Sequence, residues 1–144
     1  MPEFILDRGD ADATKRFAAL DAFTQGYLEA AFFTSTGTGD DGDLEHASLA
    51  ELAEAAWQSA ADDCTKFQAD NSQALSDAYE LTIHNGEQYD AEKAGRDFWF
   101  DRCGHGVGFW DRGLGDVGDG LAAVAKHFSD RNLYRGDDGR IYFG

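Results

Sequence analysis

Basic residues are scarce in this sequence of 144 residues, which has 12 Lys and Arg against 28 Asp and Glu and a formal net charge of -16. Between Arg16 and Lys66 there is no Lys or Arg at all. Nucleic-acid affinity depends on cations that displace counterions from the phosphate backbone, and anionic membranes attract basic segments. The scarcity therefore argues against direct binding of nucleic acid and against binding to a membrane surface.

Cysteines and long apolar runs are also lacking. Two cysteines, Cys64 and Cys103, are too few for a disulfide scaffold. The sequence starts MPEFILDRGD, which has neither a basic n-region nor a long apolar h-region. No apolar run approaches the ~20 residues of a membrane span. We therefore expect an intracellular protein, located in the cytoplasm.

Recognisable cofactor and catalytic motifs are lacking as well. Residues 113–118, GLGDVG, fit GxGxxG, but no strand precedes them and their acidic surroundings would repel a pyrophosphate. The acidic residues 40–45 lack the ligand spacing of an EF-hand. Cys103 and His105 have no third and fourth zinc ligand close in sequence. The sequence therefore predicts no cofactor, no metal site and no assigned catalytic residue.

Hydrophobic residues are plentiful by contrast, at 42% of the chain, and 13% of the residues are aromatic. This content is too high for a disordered acidic tail and suits one folded domain over residues 1–144, with residues 1–12 as a loosely held arm. Apolar stripes at three- and four-residue steps predict a mainly α fold of about four helices. The predicted helices cover residues 13–34, 48–75, 90–103 and 116–128.

Local signals support these boundaries. Ser48 and Glu51 have the spacing of a capping box, and Asp90 is a suitable N-cap. Cys64 lies on the apolar stripe of the second predicted helix, so we interpret it as a core residue. Near the C-terminus, Asp138-Gly139 separates two β-prone runs, which predicts a small β-hairpin packed on the helices.

An acidic interaction face is one candidate for the functional surface. On the simplest interpretation, this face is solvated and maintains solubility. On a more specific one, it imitates a phosphate lattice and occupies a basic groove of another protein. Adaptation to a high-salt host is a third interpretation, and composition does not separate the three. The candidate residues are Asp40, Asp41, Asp43, Glu45, Glu51, Glu54, Asp62 and Asp63.

The glycine- and aromatic-rich segment of residues 97–115 is the second candidate. Five of its last twelve residues are glycine, so the loop would be mobile unless aromatic side chains and Asp–Arg pairs held it. We expect the aromatic pairs 98–99 and 109–110 to fold back on one another, with Trp110 structural. The candidate binding residues are Arg102, His105, Phe109, Trp110, Asp111 and Arg112.

Two interpretations of His105 remain open. Flanking glycines leave its ring accessible, so it could act as an acid, a base or a ligand group oriented by Asp111, with Arg112 or Arg102 holding an anion. Alternatively, His105 is a hydrogen-bonded loop residue and the Asp–Arg pairs are plain ion pairs. On the first interpretation, replacing His105 and Arg112 by alanine would abolish binding without unfolding the protein.

Four separated segments resemble a widespread family of short proteins encoded by tailed bacteriophages and related viruses. They are FTQGYLEAAFFTSTGTGDDG, DCTKFQADN, GRDFWFDRCGHGVGFWDRGLGDVGDGLAAVAKHF and LYRGDDGRIY. The resemblance covers about residues 21–143, and its clearest motifs are GHGxGFWDRG and LYxGDDGxIY. It implies a viral origin and a small accessory role, with no catalytic residues. Cys103 departs from the family, in which a polar residue, commonly Asn, is expected.

Two functions follow as hypotheses. In the first, a small acidic viral accessory protein binds and modulates a host or viral protein in the cytoplasm of the infected cell. Mimicry of nucleic acid against a basic groove is its sharpest form. In the second, a small enzyme or ligand-binding protein uses a pocket around His105, Asp111 and Arg112. The first is preferred because it explains the missing cofactor motifs and the acidic N-terminal two-thirds.

Overall fold

The structure, a computed structural model, describes residues 10–35 and 47–144. In this part the chain is mainly helical, which confirms the predicted class, but it has six α-helices, so the predicted count of four is wrong. None of these helices is both long and apolar enough to cross a membrane. The elements are α1 (Ala11–Ala18), α2 (Ala22–Ser35), α3 (Glu54–Asp70), α4 (Ser72–Ala78), α5 (Ala91–Cys103), α6 (Asp116–Lys126), β1 (Leu133–Arg135) and β2 (Ile141–Phe143).

The first predicted helix, over residues 13–34, is two helices, α1 and α2. The carboxylate of Asp21 caps the second of them by accepting a hydrogen bond from the backbone N–H three residues later, at 3.2 Å. The side-chain amide of Gln25 donates to the carbonyls of Phe17 and Leu20, each at 3.1 Å, and so bridges the break between the two helices. Residues 1–9 of the predicted arm lie outside the described residues, and residues 10–12 already form the start of α1.

The second predicted helix also differs, because it becomes a short turn and two helices. The backbone N–H of Ser48 donates to the Glu51 carboxylate at 2.9 Å, as a capping box requires, but the turn that follows is 3₁₀ and ends at Glu51. The N–H of Ala53 then donates to the carbonyl of Ile141 at 2.9 Å, so α3 begins only at the next residue. Asn71, with a φ of -126°, separates α3 from α4.

Helices α2 and α5 cross at a pair of glycines. A Cβ atom on Gly26 would lie 2.0 Å from the carbonyl oxygen of Glu92, and one on Gly95 would lie 1.8 Å from that of Phe23. Both distances are far below van der Waals contact, so the two backbones approach each other as only glycine allows. This crossing sets the position of α5, which carries most of the buried charges described below.

The C-terminal part follows the sequence-based prediction. Asp90 caps α5 by accepting a hydrogen bond from the N–H of Lys93 at 2.9 Å, and α6 ends two residues before its predicted end. Strands β1 and β2 form the predicted antiparallel hairpin. Gly139 adopts the left-handed conformation, with a φ of 80°, at the turn that the Asp138-Gly139 pair predicts.

Stacked aromatic rings fill the core between the helices. The rings of Phe67 and Phe98 stack with centroids 4.3 Å apart, and Phe67 also stacks on Phe23 at 5.8 Å and on Phe109 at 5.7 Å. Such pairs add to the stabilisation that burial alone provides. Cys64 is completely buried in the same cluster, which confirms its prediction as a core residue.

Candidate functional site

A glycine-rich loop links α5 to a 3₁₀ turn at Phe109–Asp111. Gly104 ends α5 in the left-handed conformation, with a φ of 69°, and the N–H of His105 donates back to the carbonyl of Phe100 at 3.0 Å. The 3₁₀ turn rests on α6 at Gly118, where a Cβ atom would lie 2.5 Å from the first carbonyl oxygen of the turn. The loop is therefore held at both ends by backbone contacts.

Asp101 is buried beneath this loop and organises it. Its carboxylate accepts a hydrogen bond from the N–H of Phe109 at 2.8 Å. A Cβ atom on Gly108 would lie 2.4 Å from that carboxylate, so residue 108 must be glycine for the loop to close over it. Burial raises the pKa of Asp101 to about 6. Asp101 is not among the candidate residues that the sequence predicts.

A second buried carboxylate, Asp97, binds Arg112. The Nη2 and Nε atoms of Arg112 lie 2.8 and 3.1 Å from its Oδ1 atom, and the hydroxyl of Tyr89 donates to its Oδ2 atom at 2.6 Å. Burial, together with the Asp97 carboxylate, raises the pKa of Tyr89, which keeps the phenol protonated as a donor. The predicted anion-binding group of Arg112 therefore already has an anionic partner within the protein.

Arg102 is a structural residue and not part of an exposed rim. It is buried, and its guanidinium donates to the Asp63 carboxylate at 2.8 Å, the Tyr27 hydroxyl at 3.1 Å and the Ser129 carbonyl at 2.9 Å. These bonds join α5 to α2, to α3 and to the segment after α6. The prediction that Arg102 binds a ligand is therefore corrected, because its donors are used in holding the fold together.

The two aromatic residues of the 3₁₀ turn have opposite environments. Phe109 is completely buried, whereas Trp110 is 49% exposed. The prediction that Trp110 is structural is thus corrected, and Phe109 takes the core role instead. The alternation arises because a 3₁₀ turn directs successive side chains to different sides, which sequence spacing alone does not resolve.

His105 is exposed and is not oriented by Asp111. Its ring makes an edge contact with Phe100, with centroids 6.2 Å apart, and partial burial lowers its pKa. The Asp111 carboxylate accepts a hydrogen bond from the N–H of Gly108 at 3.1 Å instead. Within residues 10–35 and 47–144, no hydrogen bond joins His105 to Asp111 or Arg112. The acid–base arrangement expected from the sequence is therefore not assembled.

A different histidine borders Arg112. The N–H of His84 donates to the carbonyl of Arg112 at 3.1 Å, and a Cβ atom on Gly113 would lie 2.8 Å from the His84 ring. The sequence does not predict this contact, because nothing in the local pattern around His84 links it to a residue 28 positions later. His84 therefore lies beside Arg112 and Gly113.

The candidate acidic face is only partly described, and arginines neutralise much of the part that is. Asp40, Asp41, Asp43 and Glu45 lie outside the described residues. Asp62 is exposed and accepts a hydrogen bond from Gln58 at 2.8 Å. The other three acids form ion pairs, Glu51 with Arg135 at 2.9 Å, Glu54 with Arg16 at 2.6 Å and Asp63 with Arg102 at 2.8 Å. The described acids therefore do not form one continuous uncompensated face.

Metal ligands are not clustered in the part of the chain that the structure describes, where no three His, Cys, Asp or Glu side chains are placed to hold an ion. The described thiols are a buried Cys64 and a half-buried Cys103, whose sulfur lies 3.3 Å from the carbonyl oxygen of Arg131. Comparisons with known protein families, with curated proteins and with solved structures find no match to this chain.

Proposed function

We propose that this protein is a small acidic accessory protein that binds and modulates another protein through a basic surface of that partner. One observation carries the proposal: seven of the described basic side chains form ion pairs with the protein's own carboxylates. Eleven exposed carboxylates of the described residues, by contrast, form no ion pair with a described basic side chain. They are Asp10, Asp12, Asp21, Asp62, Asp77, Glu80, Asp116, Asp119, Asp130, Asp137 and Asp138.

This distribution favours a basic partner for two reasons. The internal ion pairs leave few cations to attract an anionic ligand, whereas the exposed carboxylates give the surface a net negative potential. Such a potential steers a basic protein into contact and raises its rate of association. These carboxylates belong to or flank α1, α3, α4, α6 and the C-terminal hairpin, so the exposed acids are not confined to residues 40–63.

Mimicry of nucleic acid is the sharpest form of this proposal, with a basic groove of a nuclease, repair or defence protein as the target. On the resemblance of the four motifs, we further propose a viral origin, and hence a host or viral protein as the partner in the cytoplasm of an infected cell. If the partner's groove normally holds DNA, then DNA and this protein should compete for it.

The test is a pull-down from a bacterial host lysate at about 150 mM salt, analysed by mass spectrometry, with a charge-reduced variant beside the wild type. The variant is Asp62→Asn, Asp77→Asn, Asp119→Asn, and the matched control replaces the same three residues by Glu. We expect one dominant basic protein that the control retains, that the variant binds weakly and that salt or duplex DNA releases. A partner retained equally by both variants and insensitive to salt would contradict the proposal.

The alternative proposal, a small enzyme or ligand-binding protein that uses His105, Asp111 and Arg112, has less support. Arg112 is bound to the buried Asp97, and His105 contacts neither of the other two side chains. An anionic ligand would have to displace an internal carboxylate to reach the guanidinium, which is costly for a buried pair. A small molecule that copurifies and protects the protein against thermal unfolding would favour this alternative.

A further inference from the structure

A groove of about 520 Å³ lies between α1, the 3₁₀ turn Leu49–Glu51, the first turn of α3 and the C-terminal hairpin. Its apolar surface comes from buried residues of the turn, of the link that follows it and of α3, among them Leu49, Leu52 and Trp57. Its polar residues come from α1, α3 and the hairpin. The groove is large enough to hold one or two long side chains of a bound segment.

Arg16 of α1 shows what kind of group this groove holds. Its guanidinium carbon lies 4.8 Å from the centre of the Trp57 ring, and its two terminal nitrogens lie 2.6 and 2.8 Å from the oxygens of Glu54. A planar guanidinium is well suited to stack on an aromatic face and to bind a carboxylate with two parallel hydrogen bonds. The Arg16 side chain is nevertheless 43% exposed, so an incoming group can reach and replace it.

The charges around the groove favour a cationic occupant. Four carboxylates line it, and two guanidiniums oppose them. One of these, Arg140, donates to the carbonyl of Ala50 at 3.1 Å, and the other, Arg16, is paired with Glu54. Asp12 at the start of α1 is exposed and pairs with no described basic residue. The groove itself therefore has an excess of negative charge, in addition to that of the whole protein. This local excess draws a cationic group toward the groove.

We propose that this groove is the docking site for an arginine-bearing segment of the basic partner protein, and that Arg16 occupies the arginine position until the partner binds. The inference rests on the proposed function, since it names the surface on which the basic partner docks. On binding, the partner's guanidinium replaces Arg16 on the Trp57 ring and pairs with Glu54, while its neighbouring cations meet Asp12 and the hairpin.

The first experiment removes the internal competitor. Fluorescein-labelled nona-arginine is titrated with wild-type protein, with Arg16→Gln and with Lys15→Gln, and anisotropy is measured at about 150 mM salt. Both substitutions remove one positive charge from α1, but only Arg16 lies in the groove. We expect Arg16→Gln to bind about fivefold more tightly than Lys15→Gln. Equal affinities, or weaker binding by Arg16→Gln, would overturn the role of Arg16 as a placeholder.

The second experiment removes acids from the groove. Asp12→Asn, Glu54→Gln is compared with Asp116→Asn, Asp119→Asn, which removes the same charge from the first turn of α6, away from the groove. Melting curves establish that both variants fold. We expect the groove variant to bind nona-arginine about tenfold more weakly than the wild type and the control to lose about twofold or less.

The outcomes separate the two proposals. Equal losses by the groove variant and the α6 variant would refute the groove and leave the acidic surface as the binding determinant. No binding of nona-arginine by the wild-type protein would refute the groove and also count against a basic partner. A wild-type protein that binds nona-lysine as tightly as nona-arginine would refute recognition of a guanidinium, because an ammonium does not stack and pair in the same way.

Discussion

Replacing Asp101 by asparagine removes a buried carboxyl group while keeping an oxygen that can accept the hydrogen bond from the N–H of Phe109. The wild-type carboxyl is protonated more readily in the folded protein than in water, since burial raises its pKa from 3.8 to about 6. The neutral amide avoids the cost of ionising this group beneath the glycine loop. The two proteins should therefore differ in how their stability depends on pH.

The sign and size of this difference follow from proton linkage. Because the folded pKa of Asp101 is the higher one, its contribution to the free energy of unfolding is complete below pH 3.8 and is lost as the pH rises through about 6. The full loss is about 3 kcal/mol, and about 1.4 kcal/mol of it falls between about pH 5 and about pH 7.5. Asp101→Asn should therefore gain about 1.4 kcal/mol relative to the wild type over that interval.

Urea titrations, monitored by tryptophan fluorescence, measure the free energy of unfolding of both proteins at several pH values above the sequence pI of about 4.3. Asp116→Asn serves as the control, because it removes an exposed carboxylate and so reports the effect of reducing the net negative charge by one. The reasoning is refuted if the stability difference between the wild type and Asp101→Asn stays constant from about pH 5 to about pH 7.5. It is also refuted if the control reproduces the same trend.

Three further predictions concern the same loop. Phe109→Ala should lower the free energy of unfolding by about 3–5 kcal/mol, whereas Trp110→Ala should lower it by less than about 1 kcal/mol; similar losses in urea titrations would contradict the assigned environments. Gly108→Ala should cost about 1–3 kcal/mol because its methyl group would clash with a buried carboxylate, and an unchanged melting temperature would count against that contact. Arg112→Ala should cost about 3–5 kcal/mol by leaving a buried carboxylate unpaired, while His105→Ala should stay within about 0.5 kcal/mol, as thermal melting would show.

The parts of the fold that local signals determine were predictable. The N-cap at Asp90, the left-handed glycine after α5 and the Asp138-Gly139 turn each fix a boundary through a few neighbouring residues. The breaks before α2 and at Asn71 were not predictable from periodicity, because the apolar stripe continues across both. Side-chain hydrogen bonds of Asp21 and Asn71 mark these two breaks, and a tertiary bond from the Ala53 N–H to the hairpin marks the start of α3.

The candidate site was predictable as a segment but not as a set of contacts. Asp97, Asp101 and Arg102 lie among aromatic residues on one helix, and that placement alone hinted that their charges are buried. Their partners lie outside α5, since Tyr89 precedes this helix and Asp63 belongs to α3. Arg102 and Arg112, which the sequence predicts as binding residues, therefore form ion pairs within the fold. Spacing along the chain does not reveal such pairs.

The two glycines at the crossing of α2 and α5 determine where the buried charged residues of α5 lie. Gly26 and Gly95 touch neither Asp97 nor Asp101, yet any side chain at the crossing would force the helices apart and carry α5 outward as a rigid rod. Asp97 and Asp101 would then move away from their donors outside the helix. Substitution of either glycine would thus disrupt the buried hydrogen bonds and ion pairs further along α5. Homologues that keep these ion pairs are therefore expected to keep both glycines.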